Sequence, residues 1–124
     1  MQPILKPIIR FHMVINFEEY TATLSEGEVV MAEWLATQLP AYIGKEKAIS
    51  NYRLRWMLFD KHGNVTPARI RKLINYIRIN CLVENLIASS YGYYVASTRE
   101  EVETYVNSLR QRAASIMHVA ESFC

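Results

Sequence analysis

Ile70, Leu73, Ile74 and Ile77 recur at helical spacing and predict a helix over 67–79 with one buried stripe. Thr66 is a natural N-cap, and Pro67 takes the first helical position, where its missing N–H removes no bond. Arg69, Arg71, Lys72, Asn75, Tyr76 and Arg78 occupy the rest of the circumference. Upstream, Leu54, Trp56, Met57, Leu58 and Phe59 predict a helix over 51–60, entered through Ile49 and Ser50, with Arg53 and Arg55 on its wet side. Lys61-His62-Gly63-Asn64 is the turn between these helices, with Gly63 suited to a left-handed conformation. Val30, Trp34 and Leu35 mark an earlier helix over 28–39, capped by Ser25 or Gly27 and ended by Pro40. Glu28 and Glu33 suit its positive end.

Beyond residue 80 the pattern changes. Residues 85–89 and 93–96 read as two strands around Ser90-Tyr91-Gly92, a hairpin. Alternation places one of Tyr93 and Tyr94 in the core and the other outside. Ser97 or Thr98 opens a last helix, since Ser97 with Glu100 and Thr98 with Glu101 both match a capping box. Val102, Val106, Leu109, Ala113, Ile116, Ala120 and Phe123 follow in heptad rhythm, the seam of a helix pair. A helix of about 25 residues spans roughly 37 Å, longer than a small core needs, so this seam is expected to pair two copies, the alternative being that it packs along its own domain. Residues 1–24 are an arm or strand, with Phe11, Val14, Ile15 and Phe17 as its apolar positions.

Charge adds a second signal. The net charge is only +2, but Lys45 to Arg78 carries nine basic residues against Glu46 and Asp60, a local balance of +7. The remainder holds five basic and ten acidic residues, a balance of −5. Such asymmetry suits one face that meets a polyanion. No acid lies between Lys61 and Cys81, so the positive block coincides with the helix over 67–79. Arg and Lys suit phosphates and guanine edges, and Asn suits adenine.

Other chemistry finds little support. His12, His62 and His118 are scattered, with no metal-ligand spacing, and four isolated glycines form no phosphate-cradling loop. Glu100, Glu101 and Glu103 read as charge complements of a helix start. Cys81 reads as a buried structural thiol and Cys124 as an exposed terminal one; two cysteines make no disulfide framework and fit a reducing cytoplasm. Trp34 and Trp56 are expected in the core. The apolar start is broken by Pro3, Pro7, Arg10 and His12, unlike a signal peptide, and no stretch approaches a membrane span. The expectation is a non-enzyme with no cofactor, no catalytic residue and no metal site.

Two helices joined by a short Gly-containing turn outline a helix-turn-helix, and the hairpin behind them makes a winged helix. The stretches IRKLINYIR, LIASSYGYYVA and EEVETYVNSLRQRA resemble small winged-helix proteins encoded by bacteriophages and prophages. The positions carrying the resemblance are Arg71, Ile74, Ile77 and Arg78 in the helix; Ser89, Ser90, Gly92, Tyr93 and Tyr94 in the wing; and Ser108, Leu109 and Arg112 in the last helix. The similarity covers about residues 49–114. It departs from the family pattern at Asn80-Cys81-Leu82-Val83-Glu84, where a Gly commonly precedes the wing.

The sequence therefore leads to an α+β, mostly α fold: an arm over 1–24, a winged helix-turn-helix over 25–98 and a long C-terminal helix over 99–124. The resemblance implies binding to double-stranded DNA in transcriptional control or replication, in the cytoplasm of a host cell. In this reading Ala68, Arg69, Lys72, Asn75 and Tyr76 enter the major groove. Arg53, Arg55, Arg71 and Arg78 contact phosphates, and Tyr91 at the wing turn is a further candidate. Arg69 and Lys72 lie opposite the apolar stripe and are expected to be exposed. A homodimer through Val102, Val106, Leu109, Ile116 and Phe123 presents two such helices to a two-fold site. The alternative is an interaction module or inhibitor that binds a host or phage protein without using DNA.

Overall fold

The computed structural model of the chain describes residues 23–124, so the expected arm lies almost wholly outside the described residues. Two units are distinguished, whose described parts are residues 23–97 and Thr98–Cys124. The first contains α1 (Glu26–Gln38), α2 (Asn51–His62) and α3 (Pro67–Ile79), followed by an antiparallel hairpin of β1 (Leu86–Ser89) and β2 (Gly92–Val95). The described part of the second is a single helix, α4 (Arg99–Ser122). The described chain is thus mostly α with one two-stranded sheet.

Each helix starts where a side chain takes over an orphan backbone N–H. At α1 the exchange is reciprocal. The Glu28 N–H donates to Ser25 Oγ at 3.2 Å, and the Ser25 N–H donates to Glu28 Oε1 at 3.0 Å. That box sets the start of α1 two residues before the apolar pattern does. Ser50 and Thr66 cap α2 and α3 by accepting from the Arg53 and Arg69 N–H groups, and Thr98 accepts from Glu101 at α4. The bounds of α3 agree with the predicted 67–79 residue for residue. α2 runs two residues further than its apolar run, through Lys61 and His62, and closes on Gly63 at φ 76°.

α3 closes in a Schellman turn. The Leu82 N–H donates to the Ile77 carbonyl at 3.0 Å and the Cys81 N–H to the Arg78 carbonyl at 3.2 Å. Cys81 holds the left-handed position, φ 53°, and its thiol is exposed, not buried as expected. The turn geometry forces the side chain outward.

The core of the first unit is made by Leu35 and Leu39, Leu54 and Leu58, and Ile70, Leu73, Ile74 and Ile77, all within about 2 % of full burial, with Val65, Leu86 and Tyr93 around them. Trp34 is half-buried against this cluster, whereas Trp56 points to solvent, contrary to its expected core position. Leu54 and Leu58 already define the buried side of α2, and position 56 falls nearly opposite them at 100° per residue.

A strap over residues 42–49 bonds the second edge of β2. The Val95 N–H donates to the Tyr42 carbonyl at 2.7 Å, and Gly44 donates back to Val95 at 2.9 Å. Ile49 and Tyr93 exchange both backbone bonds, at 2.9 and 2.8 Å. The strap passes so close that a Cβ on Gly92 would sit 2.4 Å from the Ile49 carbonyl oxygen, which explains the glycine there. Tyr93 and Tyr94 are both buried, so the hairpin is covered on both faces and the expected alternation fails.

α4 contains no buried residue. Val102 and Val106 are half-buried, whereas Leu109, Ile116 and Phe123 are exposed, Phe123 by 85 %. No helix among the described residues is long and apolar enough to cross a membrane.

Candidate nucleic-acid interface

The buried stripe of α3 leaves two flanks, and they differ. Arg71 is exposed, and Asn75 and Arg78 follow it at i+4 and i+7, both half-buried. These three share one flank, with Ala68 and the exposed Ile79 beside them. The flank toward α1 is different. Lys72 Nζ lies 2.9 Å from Glu28 Oε1, and Arg69 Nε lies 3.2 Å from Glu28 Oε2. The Lys72 side chain is only 13 % exposed and that of Glu28 only 9 %. The expected exposure of Lys72 is therefore corrected, whereas the Arg69 side chain keeps 40 % of its surface exposed. α1 packs along α3, and a buried acid on α1 draws both cations inward. Tyr76, on the same flank, is partly buried against the core, and its carbonyl accepts the Asn80 side-chain amide at 2.9 Å.

Glu28 shows how this cluster is held. Burial pushes its carboxyl toward a higher pKa. The Ser25 backbone N–H, the hydrogen bond and charge of Lys72 and the Arg69 guanidinium outweigh burial and hold it at about 2. An acid at the positive end of α1 was legible; its part in a capping box with Ser25 was not read, nor that the same carboxylate gathers two cations from α3, which lie 41 and 44 residues away.

On α2, Arg53 is exposed, and Arg55 donates through Nη2 to Asn64 Oδ1 at 3.2 Å. The N-termini of α2 and α3 meet. Asn51 Nδ2 donates to the Pro67 carbonyl at 3.4 Å and to the Tyr93 hydroxyl at 3.3 Å. Arg71, one turn into α3, is thereby set on the unit whose hairpin is anchored at Tyr93.

The hairpin turn is clamped by Ser89, whose hydroxyl donates to the Gly92 carbonyl and accepts the Tyr91 N–H, both at 3.1 Å. Tyr91 stands out at the tip, with Lys45 Nζ 4.4 Å from its ring centre. An open cleft of about 400 Å³ lies between Lys45, Glu46, Ala48 and Tyr91. Lys45 carries no motif of its own; the strap's pairing with β2 brings it to the hairpin, so no local signal reports it.

Among the described residues no three His, Cys, Asp or Glu side chains gather as metal ligands. No family model matches the chain, and no curated protein or solved structure is significantly similar to it.

Proposed function

We propose that residues 23–97 are a phage-type winged helix that binds double-stranded DNA, with α3 as recognition helix and the β1–β2 hairpin as wing. The observation that carries this reading is the Arg71–Asn75–Arg78 flank. It is a basic and amide-bearing face on a helix whose opposite side is wholly committed to the core. The order helix, strap, helix, turn, helix, hairpin supports it, as does the absence of any acid between Lys61 and Cys81. Asn75 reads an adenine edge, while Arg71, Arg78, Arg53 and Arg55 hold phosphates. Arg69 and Lys72 serve the Glu28 cluster, which fixes the angle of α3. Its place is transcriptional control or replication, as a homodimer joined through Leu109, Ile116 and Phe123 of α4.

Duplex titrations against salt test the reading. With about four phosphate contacts, log K falls against log salt with a slope of roughly −3 to −4. Asn75→Ala weakens a specific site more than a scrambled duplex, and Arg71→Ala weakens both alike. No measurable duplex affinity at low salt refutes the reading. Light scattering on Leu109→Glu and Ile116→Glu tests the dimer, which predicts monomers for both.

A further inference from the structure

α2 turns a row of aromatic rings to solvent. Tyr52, Trp56 and Phe59 stand at i, i+4 and i+7 and are 65, 53 and 46 % exposed. They hold one another edge to face, with centroids 6.3 Å apart for Tyr52 and Trp56 and 5.6 Å apart for Trp56 and Phe59. The fold gains little from the outer sides of these rings, because Leu54 and Leu58 supply the burial of α2 from its other side. Contiguous exposed apolar surface marks a place of contact.

The charges around the row narrow what that contact is. Arg53 and Arg55 flank it on either side, and Asp60 is the only acid on α2. Aromatic faces with guanidinium groups beside them are the chemistry that takes unpaired bases. Every base presents a π-face to a ring, and the cations accompany the phosphates. The edge-to-face contacts also pre-set the rings, so little rotamer freedom is lost on stacking. Pairing with a second copy is less well served. Three half-exposed rings offer roughly 300 Å² per side. Doubling that gives roughly 600 Å², short of the ~1,200 Å² at which specific interfaces begin.

We propose that the Tyr52–Trp56–Phe59 row binds single-stranded nucleic acid, with bases stacked on the rings and the backbone running past Arg53 and Arg55. The rings are on a different helix from the Arg71–Asn75–Arg78 flank, and although Arg53 and Arg55 serve in both readings, the stacking on the row does not depend on the duplex reading.

The test uses the full chain and a labelled oligo(dT) of about 15 nucleotides. Binding is followed by anisotropy and by tryptophan emission. Saturable binding with quenching is expected, and none of the quenching with inorganic polyphosphate, which has charge but no bases. Tyr52→Ser and Trp56→Ser each weaken binding roughly 5- to 150-fold. Trp56→Phe keeps the affinity within about threefold and loses most of the quench. Melting curves of the Ser variants establish that they are folded, and Arg53→Ala, which removes no ring, gives an independent loss of about threefold. Absent oligo(dT) binding, equal quenching by polyphosphate, or folded Ser variants of unchanged affinity overturn the proposal. So does an effect of Trp56→Ser confined to dissociating an oligomer, which makes the row a protein contact. The duplex reading fails separately, on Arg71 and Asn75 with duplex.

Discussion

α2 and α3 are nearly the same length, 12 and 13 residues, and each carries apolar and basic side chains around its circumference. Their surfaces nevertheless end up opposite in character. α3 buries a full stripe of four aliphatic residues, and two of its other basic residues are drawn onto Glu28 of α1. α2 buries two leucines and leaves three aromatic rings in water. Periodicity identifies the side of a helix that must be buried, but neighbours decide the rest of the circumference. A charge off the stripe is not thereby free. An aromatic residue off the stripe is not thereby core.

The largest effect that separates the two helices is acid sensitivity. The Glu28 carboxyl is held at about 2 against an ordinary 4.5, a gap that corresponds to about 3 kcal/mol. A depressed acid stabilises the fold above its unfolded pKa. This contribution is therefore complete above about pH 4.5 and is lost as pH falls toward 2. Denaturant titrations at pH 6, 4 and 3 measure it, with Glu28→Gln as reference. The variant should lose stability at pH 6 and show a shallower decline below 4.5. Parallel profiles for the two proteins would place the acid sensitivity elsewhere.

The next effect compares cations on α3 itself. Lys72→Ala leaves Arg69 as the only cation on buried Glu28 and costs about 2–3 kcal/mol, while Arg71→Ala, on the outer flank, stays within about 0.5 kcal/mol. Urea midpoints decide this. On duplex DNA the ranking reverses, with Arg71→Ala the more damaging once both proteins are folded. Equal stability loss in the two variants would mean that the Glu28 cluster does not hold α3.

The same comparison shows what the sequence made legible. The start of α3 was readable because three local signals coincide at one point: the Thr66 cap, Pro67 and the stripe from Ile70. The hairpin was readable to within a residue because Gly92 and Ser89 act over four positions. What could not be read depends on pairing across distance. Strap contacts at Tyr42 and Ile49 have no periodic signature, yet they bond the second edge of β2 and bring Lys45 over Tyr91. Burial of Tyr94 beside Tyr93 hides a second covered face that alternation cannot express. Trp56 and Phe59 read as core because apolar residues crowd α2 on every side; the pattern does not say that the neighbours stop short of Tyr52, Trp56 and Phe59.

The smallest effect concerns the ends of the two helices. α2 turns away through Gly63 at φ 76°, and α3 through Cys81 at φ 53°. An L side chain in the left-handed region costs roughly 1–2 kcal/mol, whereas glycine adopts it freely. Glycine also gives up more freedom on folding, by roughly 0.5–1 kcal/mol, so the net gain from Cys81→Gly is about 0.5–1 kcal/mol. The exposed thiol makes no buried contact that the change would remove. The Schellman bonds from Leu82 and Cys81 use backbone atoms only and survive it. Thermal melts should therefore rise by a few degrees. Gly63→Ala should lower them by more, because Gly63 sits at φ 76° and ψ −161°, a region essentially confined to glycine. A fall in stability for Cys81→Gly would show that the turn after α3 is held by the cysteine side chain, not merely tolerant of it. The two helix ends would then differ in kind, as their surfaces do.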